Sequence, residues 1–475
     1  MNTKTKNLLK NLRYTLSANF LVLGISLILN IVVPKFISTE AYSYWQLYVF
    51  YGTYVGFFHF GWLDGIYLKT GGKYYQELDK KSLGSQFWYL MIFETFLTLI
   101  VGGYGIILNN NKGIVLLFTA ILLVVTNSRT FILYILESTN RFKEYAQLSR
   151  SDRYLYLLFL VGYLLAGGRD FIWLLAFDVL AKGLVTLWGM YLIRDLLKGK
   201  VLKLKFLQFE IGDNLKIGSN LLISNLASMF ILGITRIFVE RSWSINTFGK
   251  LSFTLSMSNL FMTFINAVGV VMFPLLRRTN QEQLPQLYQT IRNVFVPITF
   301  AILLTYQPIS YLLNLWLPQY QASLIYMGVL FPTVIYEGRM ALLVNTYLKT
   351  MRQERTILMV NLTTLFLSTA LSALTVFIFH NILLTVGVIL LSLVFRCIFA
   401  EKMLTGQLEI KVGKQNIQEL ILVTAFVFGN LLLTPLVSFI VYFALYGAYL
   451  LINLWRTRDS LSYFLVLIKK TSTAL

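Results

Sequence analysis

Cysteine is nearly absent: Cys397 stands alone in 475 residues, so no intrachain disulfide framework is available. Charge is scarce too, at 13% Asp, Glu, Lys and Arg, where soluble domains carry about 25%. Acid is scarcer still, 21 Asp and Glu against 41 Lys and Arg, which leaves a formal net charge of +20. A phosphate-binding GxxxxGK[ST] loop is missing, because Gly72-Lys73 is followed by Tyr74 and no glycine holds the upstream position. That excludes ATP as the direct energy source. Nothing in the residues implies a metal or a cofactor. What fills the chain is apolar: 57% hydrophobic residues and a mean hydropathy of +0.67 describe an all-α polytopic membrane protein. The cations lie in loops between apolar runs, where membrane topology and lipid headgroups account for them, so no nucleic acid partner is expected.

The stretch from Ala41 to Lys81, AYSYWQLYVFYGTYVGFFHFGWLDGIYLKTGGKYYQELDKK, organises the rest. Tyr42 to Trp62 carries no formal charge, and at about 1.5 Å per residue it covers the roughly 30 Å of a bilayer's hydrocarbon core. It reads as one uninterrupted span. Gly52 and Gly56, then Gly61 and Gly65, repeat the small-xxx-small spacing that lets membrane helices approach backbone to backbone. Asp64 follows, then Lys69, Lys73, Lys80 and Lys81, a cationic loop that the positive-inside rule places in the cytoplasm.

Apolar runs of about span length recur fourteen times, over 14–33, 42–62, 84–108, 113–135, 153–167, 171–193, 216–240, 246–274, 292–316, 322–348, 356–379, 382–402, 417–434 and 436–455. The loops between them alternate in charge. One side receives Lys4 to Arg13, Lys69 to Lys81, Arg141 to Arg153, Arg194 to Lys216, Arg277, Arg278 and Arg292, Lys349 to Arg355, Lys402 to Lys414, and a tail with Arg456, Arg458, Lys469 and Lys470. The other side holds Lys35, Lys112, Arg169 and Arg241. This alternation predicts an even number of spans and cytoplasmic termini. The basic amino terminus precedes a run of full span length with no small-residue cleavage site, so it reads as a retained first helix.

The connector RDLLKGKVLKLKFLQFEIGDN, from Arg194 to Asn214, separates two six-helix lobes. Its alternation of Leu or Phe with Lys fits an amphipathic segment on the headgroups as well as a solvated linker. A second connector, Gly406 to Glu419, leads to a final helical pair with no counterpart in the first lobe. The expected division is 1–200, 201–405 and 406–475. A repeat offset of roughly 204 residues supports it, aligning Asn11-Leu12 with Asn214-Leu215, Tyr42-Ser43 with Phe248-Gly249, and Lys69 and Lys73 with Arg277-Arg278. Parallel repeats of this kind place a substrate between the lobes.

Three stretches resemble the polysaccharide transporter (oligosaccharide-lipid flippase) family of the multidrug/oligosaccharidyl-lipid/polysaccharide flippase superfamily. NFLVLGISLILNIVVPKFISTEAYSYWQLYVFYG with GWLDGIYLKTGGKYYQELD is similar to that family's first two spans and first basic loop. TRIFVERSWSINTFGKLSFTLS resembles its seventh and eighth spans, and VNTYLKTMRQERTILMVNL the junction of its tenth and eleventh. Family members often carry an acidic residue before the basic one in span seven, where this chain has Thr235 before Arg236. The resemblance implies movement of undecaprenyl-diphosphate-linked oligosaccharide from the inner to the outer leaflet of a bacterial plasma membrane, for capsule, exopolysaccharide or O-antigen-like polymers. Its implied partners are that lipid, the membrane and other polysaccharide assembly proteins.

Ionisable groups inside spans are costly and therefore mark functional candidates. The cations are Arg129, Lys182, Arg236, Lys250, Arg339 and Arg396. A diphosphate needs several positive partners, and guanidinium binds phosphate oxygens two at a time. Arg129, Lys182 and Arg339 lie deepest, whereas Arg236, Lys250 and Arg396 lie near span ends, where snorkelling to the interface is the commoner fate. The anions Glu94, Asp178 and Glu337 are candidates for ion coupling or pairing. Asp178 and Lys182 share a helix face, Glu94 and Arg129 come out at similar depth and suggest an interhelix pair, and Glu337 and Arg339 fall on different faces. The aromatics of span two, among them Tyr44, Trp45, Tyr48, Tyr51 and Tyr54, fit helix packing better than sugar stacking. His59 fits a hydrogen bond within the bundle better than proton carriage, and Pro297, Pro308 and Pro332 predict kinks in spans nine and ten.

Two other functions compete. A multidrug or metabolite exporter of the same superfamily would favour carboxylates, whereas the deep charges lean cationic. A membrane glycan polymerase or ligase would need a larger outer loop than Leu317 to Gln321 or His380-Asn381.

Overall fold

The computed structural model describes residues 24–278 and 280–474, without the side chains of 264, 266–275, 277, 278 and 461–474. The cations Lys4 to Arg13, the repeat position Asn11-Leu12, the first half of the first predicted span, and the side chains of Arg277, Arg278, Lys469 and Lys470 lie outside that description.

Every regular element among the described residues is helical. In chain order we label α1 Gly24–Phe36, α2 Thr39–Val55, α3 Trp62–Thr70, α4 Lys80–Leu108, α5 Asn111–Ser138, α6 Phe142–Leu165, α7 Phe171–Leu192, α8 Leu204–Ser242 and α9 Ile245–Arg278. There follow α10 Gln281–Trp316, α11 Pro318–Leu330, α12 Thr333–Thr350 and α13 Glu354–Ile378, then α14 Ile382–Gln407, α15 Gly413–Leu432 and α16 Pro435–Ala474. Short polar side chains start many of these helices by accepting from otherwise unpaired amides: Ser38 from Ala41, Asp79 from Lys81 and Ser82, Asn110 from Gly113, Asp170 from Ile172, and Asn381 from Leu383 and Leu384.

Among the described residues eight helices are long and apolar enough to cross a membrane, nine if α11 and α12 count as one bent span. The protein is a multi-pass membrane protein. Among the described residues each of the apolar runs from 42 onward lies mainly on helix, but some miss that standard for physical reasons. Helix α2 has 17 residues, and α6 carries Lys143, Glu144, Arg150, Asp152 and Arg153 in its first half.

The predicted uninterrupted span over 42–62 is broken. Helix α2 ends at Val55, and the chain turns through Phe60 at φ 52° and Gly61 at φ 89° before α3 begins. Glycine takes the left-handed conformation without a Cβ clash. It also permits close packing: a Cβ on Gly61 would lie 2.6 Å from the Ser219 amide nitrogen, one on Gly65 2.1 Å from the Asn214 carbonyl oxygen, and one on Gly218 1.9 Å from the Gly61 carbonyl oxygen. The small-residue face thus meets α8 through Gly61 and Gly65. Gly52 meets only the Leu122 side chain, and Gly56 faces open space. The connector after Arg194 forms a helical turn at Arg194–Leu197 and, from Leu204, the first turns of α8, with Phe206 and Phe209 exposed.

Two compact units result, Phe36–Leu226 and Met1–Lys35 with Ala227–Leu475, and the division falls inside α8. The first is packed around Phe87, Leu90, Phe131, Ile132, Ile135 and Leu148. In the second, α10 is interrupted by a tighter turn at Leu303–Thr305, between Pro297 and Pro308, and α11 and α12 are bent by 47° around Pro332. The Tyr446 and Tyr442 hydroxyls of α16 donate to the Pro297 and Phe300 carbonyls beside that interruption, each at 2.9 Å. A π-helical turn at Met340–Val344 follows Arg339 directly.

Candidate functional site: charges held inside the helices

In the unit Phe36–Leu226, Asp178 and Lys182 sit one turn apart on α7, and the Lys182 ammonium donates to Asp178 Oδ2 at 2.6 Å. The Tyr48 hydroxyl of α2 donates to the same oxygen at 2.6 Å. The expected pair of Glu94 with Arg129 does not form. Asn127 and Arg129 are two residues apart on α5 and so point about 200° apart around the helix. Asn127 faces α4 and its amide donates to Glu94 Oε1 at 2.8 Å. Arg129 faces α6, donating to Asp152 Oδ1 at 2.9 Å and to the Leu148 carbonyl at 3.2 Å.

Aromatic side chains of α2 serve packing: Tyr42, Trp45, Tyr48 and Phe50 are buried, and Tyr44 stacks on Phe171 with ring centres 5.0 Å apart. His59 lies in the break after α2, where its Nδ1 accepts from the Gly61 amide at 3.1 Å.

The second unit holds a denser arrangement. Arg292 of α10, Arg339 of α12, Glu401 of α14 and Glu419 of α15 meet with side chains 2%, 0%, 0% and 1% exposed. Arg292 Nε lies 2.8 Å from Glu401 Oε1 and its terminal nitrogen 2.9 Å from Glu419 Oε1. Arg339 reaches Glu401 Oε2 at 3.2 Å and also donates to Glu419 Oε2. Tyr288 donates to Glu401 at 2.7 Å, and Gln415 and Asn416 accept from Arg292 at 2.6 and 2.7 Å. Two cations and two anions cancel, which is how ionic groups survive burial. The arrangement ties α15 to the bundle.

Sequence reading found Arg339 but not its partners. Arg292 reads in the sequence as a loop cation and Glu419 as the end of a connector, while Glu401, at the edge of the run 382–402, draws no reading of its own. Glu337 and Arg339 do diverge as expected, Glu337 accepting from Arg396 at 3.3 Å. Arg396 is 5% exposed and also donates to Asn361 and Ser228, so it does not snorkel.

Arg236 donates to the Ser252 hydroxyl at 2.9 Å and lies over the Phe248 ring. Thr235, in the position where an acid precedes the cation in the resembled family, shares a hydrogen bond of 2.7 Å with Ser372. Lys250 is half-buried on α9 with no side-chain partner for its ammonium among the described residues.

No family model matches the sequence, and no curated protein matches it significantly. Among solved structures, the chain is similar to the lipid II flippase MurJ in an inward closed conformation, with a TM-score of 0.65 at 11% identity, over 92% of this chain and 97% of that one. The fold is therefore a MurJ-like all-helical membrane fold.

Proposed function

We propose that the protein is a secondary-active flippase that carries undecaprenyl-diphosphate-linked oligosaccharide across a bacterial plasma membrane, supplying capsule, exopolysaccharide or an O-antigen-like polymer. The observation that carries this reading is the likeness, over nearly the full length of both chains, to a lipid II flippase. The residues add a cationic lean. Arg129 and Lys182 keep 17% and 26% of their side chains exposed even while paired. With Arg236 and Lys250 they are the cations we assign to the diphosphate, because Arg339 is enclosed with its charge already balanced. Guanidinium and ammonium donors to phosphate oxygens are charge-assisted bonds.

Binding of an undecaprenyl-diphosphate oligosaccharide to the purified protein tests this. Lys250→Ala and Lys182→Ala are each expected to weaken binding about tenfold, the equivalent of one charge-assisted hydrogen bond of about 1.5 kcal/mol. Unchanged affinity in both variants contradicts the assignment, and no binding by the wild type contradicts the substrate.

A further inference from the structure

Glu94, midway along α4, is 0% exposed and has no cationic partner among the described residues. Its single hydrogen bond is the one that Oε1 accepts from Asn127, itself 0% exposed. The other hydrogen of that amide goes to the Val55 carbonyl at 3.1 Å, so both Asn127 donors are used. Two acceptors then remain buried without a donor: Glu94 Oε2 and Asn127 Oδ1. An ionised carboxylate held by one amide in a lipid-facing bundle would be an uncompensated charge, the costliest arrangement a membrane interior offers.

We propose that Glu94 is a proton-binding site. One proton on Oε2 supplies the missing donor and directs it to Asn127 Oδ1, which closes a two-point pairing between carboxyl and amide. A proton there satisfies both orphaned oxygens and leaves the existing bonds in place. The pairing is anchored to the last residue of α2 through Val55, where that helix breaks and the chain turns toward Gly61. Loss of the proton leaves a buried anion with one donor and loosens the attachment of α4 and α5 to the end of α2.

The neighbouring ionisable groups are committed elsewhere. On α5, Arg129 is held by Asp152 and Tyr134 donates to Asp64, while Lys112 and Glu137 lie about 22 Å and about 15 Å along the helix from Asn127. On the turn Arg194–Leu197, which also packs on α4, Asp195 is taken by Lys80 and Tyr75, and Arg194 covers the Tyr191 ring. In the break, His59 lies 3.9 Å from Asp64. As a coupling site for transport Glu94 rests on the flippase reading; as a proton site it does not.

Infrared spectroscopy of the purified protein, with no substrate present, is the test. The wild type is expected to show the carbonyl stretch of a protonated, dehydrated carboxyl at neutral pH, absent from Glu94→Gln, unaffected by exchanging K+ for Na+, and lost in alkaline buffer together with a rise in amide hydrogen exchange over residues 56–61 larger than the base-catalysed rise that Glu94→Gln shows over the same pH range. If Glu94→Gln does not fold, Asn127→Leu carries the test, since removal of the acceptor must shift the frequency of that band. Absence of a Glu94-dependent band, or a band removed by Na+ at constant pH, overturns the proposal, the latter by showing a metal cation in the proton's place.

Discussion

Arg292 Nε and Glu401 Oε1 lie 2.8 Å apart with both side chains sealed from solvent, and they join helices that are 109 residues apart in the chain. Arg339 and Glu419 complete the neutral quartet, so removal of one member exposes the others to an unbalanced charge.

Arg292→Met is therefore expected to destabilise the protein by about 3–5 kcal/mol, because it strands a buried carboxylate. The double variant Arg292→Met with Glu401→Met removes one charge of each sign and is expected to recover most of the loss. Thermal unfolding in detergent should rank the single variant below the double, and the reverse order contradicts the account.

Backbone contact between α3 and α8 makes a separate prediction. Gly218→Ala places a Cβ 1.9 Å from the Gly61 carbonyl oxygen and must push the helices apart, at a cost of about 1–3 kcal/mol for overpacking. Gly56→Ala meets nothing within 4 Å and is expected to be neutral. Melting temperatures of the two variants compare these sites directly.

Cys397, the single cysteine, is buried, so the wild type is expected to leave a membrane-impermeant maleimide unreacted until it unfolds. On that silent background Lys73→Cys should label only from the cytoplasmic side and Asn111→Cys only from the outer side, as loop charge predicts. Labelling in intact cells and in inverted vesicles checks both, and the opposite pattern reverses the topology.

The helices were legible in the sequence because span length and loop charge are local properties. Asp178 with Lys182 was legible for the same reason, one helical turn being a spacing that sequence displays. The quartet was not, since Glu401 is 62 residues from Arg339 and Glu419 is 80, and hydropathy does not say which charge at the edge of a run turns inward. The break after Val55 was hidden by composition: Tyr54 to Trp62 stays apolar through the turn, and Gly56 and Gly61 read as packing residues when Gly61 is also the turn. Glu94 was visible as a buried acid, but its partner was misread, because equal depth does not decide between Asn127 and Arg129 when they point to different helices.

Translocation in proteoliposomes tests the central claim most directly. Vesicles containing the protein and a fluorescent undecaprenyl-diphosphate oligosaccharide are expected to move the lipid between leaflets faster than protein-free vesicles, with Lys182→Ala and Lys250→Ala folded but slow. A wild-type protein that leaves this lipid in place while exporting an organic cation in exchange for protons would contradict the flippase reading and assign the fold to an exporter.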